Sequence, residues 1–301
     1  MRHSRKNDPG IYYKLLRKIR RKVRSFSRIP IRYTYENFSI NLPSYHLLPT
    51  YQDAHPKYDR FLPLLAEYIL EMEVVVDVGA NVGDTLAGMA EKNSKAKYIC
   101  IEPDNHFFYC LERNVEIIRA SLKHLNVRLV KELIGKNISG VTLCGDGGTK
   151  YAVIENNGRI KSVQLDEILS DEIDVRLIKS DVDGFDYDVL DSSTATIEKH
   201  KPMLFFECQC DFDYQKASYA KTLEGLQLSG YRDWVVFDNY GEMILRTSSA
   251  GVVLQLMDYS WRQRIGKTAQ TIPYYDILTV QSNETAVIDE VLKRYNYNQD
   301  S

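Results

Sequence analysis

The chain has 301 residues, with 39 Lys+Arg against 41 Asp+Glu and a formal net charge of −2. A hydrophobic content of 44% and a charged content of 27% exclude a wholly disordered, collagen-like or multi-spanning membrane chain. The near-zero balance averages two opposites. Twelve of the bases but only one acid, Asp8, fall in residues 1–32, which leaves 27 bases against 40 acids over the other 269 positions.

Residues 1–32 form a basic arm. Tyr12, Leu16, Ile19, Val23 and Phe26 recur at helical spacing, basic residues fill much of the remaining surface, and Pro30 ends the pattern. Residues 11–28 therefore read as a basic amphipathic helix suited to an anionic membrane surface. Residues 33–72 read as a cap on the substrate side, with short strands or loops to 57 and a helix from Tyr58 to Met72. A larger α/β domain follows over 73–285, and 286–301 reads as a C-terminal helix or tail.

Within 73–285 strands alternate with helices, the pattern of a mostly parallel sheet covered on both faces. Seven strands are expected, at Val74–Val78, Tyr98–Glu102, Val127–Lys131, Arg176–Asp181, Met203–Glu207, Trp234–Asp238 and Ile277–Val280. Helices are expected at Asp84–Lys92, Asn105–Leu122, Leu165–Leu169, Asp186–Ser192 and Tyr214–Leu228. The runs VTLCGD and YAVIEN flank Gly147-Gly148 and predict a β-hairpin insertion. Asp238-Asn239-Tyr240-Gly241 reads as a hairpin turn.

No apolar stretch reads as a signal or a bilayer span. Five cysteines without framework spacing read as reduced thiols. The expected location is the cytoplasm, with the arm reaching a membrane periphery. Cys208 and Cys210 form a CxC pair without a second ligand pair, and no metal is assigned.

The chemistry concentrates in VVVDVGANVGDTLAGMA, residues 74–90. A buried strand ends in Asp77, turns through Gly79, Asn81 and Gly83, and enters a helix. Glycines let the backbone turn tightly and approach a ligand. An acid before the glycines is unsuited to a pyrophosphate and suits a cationic ligand. Glu102 ends the second strand, at the spacing where an acid can bind both hydroxyls of a ribose. A nucleoside with a cationic amino-acid tail answers this description, and S-adenosylmethionine is such a molecule.

DVGANVGDT at 77–85, IEPDNHFFYCLERNV at 101–115, VQLDEIL at 163–169, IKSDVDGFDYDVL at 178–190 and PMLFFE at 202–207 together resemble the FkbM-type class I methyltransferases. GYRDWVVFDNYGEMI at 230–244 is similar to the family's C-terminal strand pair. The resemblance implies a Rossmann-like class I fold. It also implies a binding loop for S-adenosylmethionine at Asp77, Gly79, Asn81 and Gly83, with Glu102 on the ribose and Asp181 and Asp183 beside the methyl donor. Asp183 and Asp186 stand where the family usually has glutamates, which keeps the charge and shortens the reach by one methylene.

Candidate general bases are Asp183, Glu207 and Asp181 at successive strand ends, with Asp183 and Glu207 ranked first and His106 and His200 as outsiders. The expected reaction is O-methylation of a hydroxyl on a glycan, sugar or related secondary-metabolite precursor. The alternatives are an RNA methyltransferase using the arm for phosphate contacts, and an inactive cofactor-binding scaffold of the same fold. The acidic body and the absence of an RRM or KH signature make nucleic acid the weaker partner.

Overall fold

The computed structural model describes residues 29–136, 138–145, 150–154, 158, 160–266 and 272–297. The expected helix at 11–28 and the Gly147-Gly148 turn lie outside the described residues. The chain opens with a two-stranded hairpin, β1 (Ile31–Thr34) and β2 (Ser39–Leu42), followed by α1 (Leu48–Ala54) and α2 (Phe61–Ala66). The helix expected to reach Met72 stops at Ala66. The Asn93 side chain donates to the Ala66 and Ile69 carbonyls at 2.9 and 2.7 Å and turns the chain into the sheet.

The central sheet contains β3 (Val74–Val78), β4 (Lys97–Ile101), β5 (Asn126–Val130), β10 (Val175–Ser180), β11 (Met203–Cys208), β12 (Tyr231–Asp238), β13 (Met243–Thr247) and β14 (Tyr275–Gln281), in the order β13-β12-β14-β11-β10-β3-β4-β5. All seven expected strands are present. The sheet nevertheless has eight strands, because β13 returns from the turn after Asp238 and pairs antiparallel with β12 at the edge. An edge strand buries only part of its surface: β13 exposes Ile244 and sends Arg246 to Asp233 and Asp289, so it lacks the continuous apolar run by which buried strands are recognised.

Strands β5, β4, β3, β10 and β11 run parallel, and β14 is antiparallel to β11 and β12. Alternation along each strand divides the core between two faces. Val75, Tyr98, Leu177 and Leu278 pack on one face with α2, α3 (Asp84–Lys92), α4 (Asn105–Ser121) and α10 (Thr285–Tyr297). Val76, Ile99, Ile178, Leu204 and Ile277 pack on the other with α5 (Leu165–Ile168), α6 (Asp186–Asp191), α7 (Thr194–His200), α8 (Asp213–Leu228) and α9 (Ala250–Ile265). Each fully buried valine, leucine or isoleucine contributes about 1.5–3 kcal/mol. Through the buried side chains Ile288, Val291 and Tyr295, α10 belongs to this core.

The hairpin insertion is present as β7 (Ser139–Cys144) against β8 (Tyr151–Ile154). With β6 (Leu133–Ile134) and β9 (Ile160–Val163) it makes a four-stranded sheet beside the ends of β4 and β5. No helix among the described residues is long and apolar enough to cross a membrane.

Candidate active site at the sheet edge

A cavity of about 600 Å³ opens at the C-terminal ends of β3, β4, β10 and β11, where open α/β sheets bind ligands. The turn after β3 supplies one wall. Gly79 and Gly83 hold φ of +78° and +84°, and Asn81 holds +47°. At Gly79 a Cβ would collide with the main-chain carbonyl of Asp181, so glycine lets the β3 and β10 loops touch. Gly83 is the residue before α3, and it lies beneath Leu111 of α4.

Glu102 is fixed by two backbone donors: Asn81 N–H at 2.9 Å and Asp104 N–H at 2.8 Å, one on each carboxylate oxygen. A carboxylate has about four acceptor sites, so Glu102 keeps lone pairs for a ligand. Burial raises its pKa to about 7, and the two N–H bonds oppose the rise. Asp104 also caps α4 by accepting from His106 and Phe107 N–H. This leaves His106 exposed in the first helical turn, outside the cavity lining.

Asp77 has no exposed surface and does not line the cavity. Its register partner on β10 is Lys179, whose ammonium lies 2.9 Å from the Asp77 carboxylate, 3.1 Å from the Gly79 carbonyl and 3.7 Å from Asp181. Burial disfavours the lysine charge, but Asp77 and Asp181 outweigh it and raise the lysine pKa. Asp77 therefore holds an internal cation that ties the β3 loop to the β10 loop.

The cavity brings together Gly79, Asn81, Glu102, Asp181, Asp183 and Glu207. Asp183 takes a φ of +53° in the loop after β10. Burial, then the charges of Asp181 and Asp186, raises its pKa to about 7. Glu207 is buried, and burial followed by Asp181, Asp186 and Asp183 pushes it well above the carboxylate range. Asp186 faces inward instead: it accepts from Ser180 Oγ at 2.6 Å and Val182 N–H at 3.3 Å, and so shapes the loop that presents Asp183.

Sequence reasoning missed Lys179, and it placed residues 33–72 on the substrate side without singling out which of their aromatic side chains line the cavity. Tyr45, Leu48, Tyr51 and Tyr58 from the segment before α2, with Tyr274 ahead of β14, line the cavity. His46 accepts from Leu48 N–H and approaches Asp84 at 3.7 Å, which joins this cover to the start of α3. Among the described residues, no group of three or more His, Cys, Asp or Glu side chains is placed to hold a metal ion.

Residues 77–233, more than half of the chain, match the methyltransferase FkbM domain. The chain belongs to this family. S-adenosylmethionine is accordingly its cofactor. Among curated proteins no sequence matches. Three solved structures are similar to the chain at low identity. A methyltransferase FkbM from Methylobacillus flagellatus KT is 15% identical, covering 77% of this chain and 58% of its own, with a TM-score of 0.39. The human methyltransferase 10 domain containing protein is 12% identical over 89% and 95% of the two chains, with a TM-score of 0.45. The plantazolicin methyltransferase BpumL, solved in complex with SAH, is 9% identical over 78% and 89%, with a TM-score of 0.39.

The cavity fits the cofactor chemically. Glu102 has acceptor capacity for the two ribose hydroxyls, Pro103, Phe107, Leu133 and Ile134 offer apolar surface to adenine, and Asp181 and Asp183 suit a sulfonium charge.

Proposed function

We propose that this FkbM-family chain transfers the methyl group to a hydroxyl oxygen of a glycan or related polyol precursor, with Asp183 as general base. The observation that carries this reading is Asp183, which lines the donor cavity with its pKa raised by burial to about 7. A base poised near neutrality is matched to a hydroxyl acceptor and typically adds ~10²–10⁴-fold.

When bound, the donor supplies a methyl group already activated on a sulfonium. Asp183 takes the hydroxyl proton as the acceptor oxygen bonds to the methyl carbon, and the pair of the breaking carbon–sulfur bond stays with sulfur. The buried Oε1 of Glu207, without a hydrogen-bond donor of its own, accepts from a neighbouring hydroxyl of the same acceptor. Tyr45, Leu48, Tyr58 and Tyr274 exclude water and offer amphipathic rings to a sugar face. Alignment of the reacting atoms is the larger contribution, on the order of 7–11 kcal/mol in well-oriented systems.

Charge supports this acceptor over RNA. Asp59, Asp84, Glu102, Asp181, Asp183 and Glu207 line the cavity against Lys150 and Lys179, and even with several of these carboxyl groups neutral the lining has no excess of cations to hold a phosphate backbone. The basic arm complements the reading, because residues 11–28 can hold the protein at an anionic membrane where lipid-linked glycans are presented. Flotation with anionic and neutral liposomes, comparing the full chain with one starting at Ile31, tests that location. Equal behaviour in all four cases removes it.

The test of the reaction is incubation with deuteriomethyl S-adenosylmethionine and cellular glycans, followed by linkage analysis. The expected label is an O-methyl ether, reduced ~10²–10⁴-fold in Asp183→Asn. In Glu207→Gln, which keeps an acceptor oxygen, the rate stays within about tenfold. Label in RNA or on nitrogen, or near-normal turnover by Asp183→Asn, overturns the assignment.

A further inference from the structure

A second cavity, of about 790 Å³, lies beside the donor cavity and has Leu48, Asp59, Asp84 and Thr85 in common with it. Its volume falls in the range of small-molecule sites, about 300–1,000 Å³. One side is a single face of α3, where Asp84, Thr85, Gly88, Glu91 and Lys92 recur at helical spacing and carry the cavity roughly 12 Å along the helix from the donor loop. The opposite side comes from α1, the segment after it and the start of α2, through Gln52, Lys57, Arg60 and Pro63.

Asp59 stands where the two cavities meet. Its φ is +55°, an uncommon conformation for a residue other than glycine, and the turn between β12 and β13 holds the segment that carries it. His55 stacks on Tyr240 with ring centroids 3.6 Å apart, and Lys57 pairs with Glu242 at 2.7 Å. The Tyr295 hydroxyl of α10 lies 3.2 Å from the Lys57 carbonyl and 2.6 Å from that of Gly241. At Gly241 a Cβ would collide with the Lys57 carbonyl, so glycine lets the turn reach the segment.

The lining selects a chemical class. Asp59, Asp84, Glu91 and Glu242 face Lys57, Arg60 and Lys92, so neither sign is in large excess. Lys57 is taken by Glu242, and Lys92 lies 3.6 Å from Glu36. Arg60 donates to Gln52 Oε1 at 3.1 Å and forms no ion pair among the described residues, which leaves most of its five donors for a ligand. Carboxylates accept and the guanidinium donates, whereas sugar hydroxyls do both, so a neutral polyhydroxylated unit satisfies both sets. Tyr35 and Tyr295 add ring surface.

We infer that the second cavity is an acceptor subsite for the sugar unit next to the one being methylated, with Asp59 and Arg60 hydrogen-bonded to its hydroxyls. The acceptor is then an oligosaccharide, and binding of the remote unit aligns the reacting hydroxyl beside the donor.

This inference rests on the glycan reading above, and its test separates the two. The full chain is incubated with deuteriomethyl S-adenosylmethionine and a cellular glycan fraction, either intact or hydrolysed to monosaccharides, at equal sugar concentration. The initial rate of labelling is expected to be at least about tenfold higher with the intact fraction. Arg60 lines the second cavity and not the donor cavity. Arg60→Ala should therefore slow labelling of the intact fraction about fivefold at limiting glycan and recover at saturation, with calorimetric donor affinity and thermal midpoint unchanged. Equal labelling of both fractions, or an unaltered rate of Arg60→Ala at limiting glycan, overturns the inference and leaves the glycan reading standing. Label in neither fraction overturns the glycan reading, and the inference with it.

Discussion

Replacing Lys179 by methionine separates two possible duties of Asp77. At the end of an apolar strand Asp77 suits a cationic ligand, yet in the fold it has no exposed surface and its charge meets Lys179 at 2.9 Å. Removing one member of a buried ion pair typically costs ~3–5 kcal/mol, because the other is left uncompensated, whereas replacing both by neutral groups is often close to neutral. Both side chains are almost fully buried, Lys179 at 3% exposure, so solvent screens little of this cost. Lys179→Met should lose about 4 kcal/mol, and Asp77→Asn with Lys179→Met should recover about half or more of it. Urea unfolding of the wild type, both single variants and the double variant gives the coupling energy, and calorimetry gives the donor affinity of each. Additivity within about 0.5 kcal/mol would refute the pairing. A stable double variant that cannot bind the donor would show that Asp77 contacts the ligand directly.

The two glycines of the turn should differ in their tolerance of alanine. Gly79→Ala drives a Cβ into the Asp181 carbonyl at a φ of +78° and should abolish donor binding, while Gly83→Ala meets only the Leu111 side-chain tip at 2.7 Å and should lose about 1–2 kcal/mol. Equal urea midpoints and donor affinities for the two variants would contradict this. Burial lifts Glu102, Asp183 and Asp186 to about 7 from the ordinary carboxylate values of 4.5, 3.8 and 3.8. Between about pH 4 and 7 the folded chain then holds protons that the unfolded chain releases, so these groups make stability rise as pH falls through that window. The thermal midpoint without donor should be higher near about pH 5.5 than near about pH 8, and saturating S-adenosylmethionine should narrow the gap. A midpoint that is lower at about pH 5.5 than at about pH 8 would count against the raised pKa values.

The strands were legible because parallel strands buried on both faces are short, nearly continuous apolar runs. The helix at Asp84–Lys92 and the hairpin at 139–154 were legible from periodicity and turn chemistry. Three helices were not, and the first of them, Leu48–Ala54, lies in a stretch that reads as short strands or loops. Thr194–His200 is too short to establish a period, and Ala250–Ile265 packs against both α8 and β12, which blurs its apolar stripe. In the site, Glu102 and Glu207 were legible as acids at strand ends, whereas Asp181 and Asp183 rested on the resemblance to the FkbM-type sequences; all four line one cavity. Lys179 was missed because a lysine inside IKSDVDG looks like an interruption of the strand. The signal lay in the register, since Lys179 and Asp77 are partners on adjacent strands and on the same face. For the cap at 33–72 the side of the sheet was expected but its lining was not, because a segment without strong periodicity does not reveal which of its aromatic side chains will face the cavity.

The most direct measurement is calorimetric titration of S-adenosylmethionine into the wild-type chain and into Glu102→Ala. Glu102 is anchored by the backbone at Asn81 and Asp104, lines the cavity, and keeps acceptor sites free for a ligand. The expected result is saturable binding at one site per chain, weakened about a hundredfold in Glu102→Ala by loss of charge-assisted hydrogen bonds. Absence of saturable binding to the wild type, or a Glu102→Ala affinity within about threefold of it, would contradict the assignment of this cavity as the methyl-donor site.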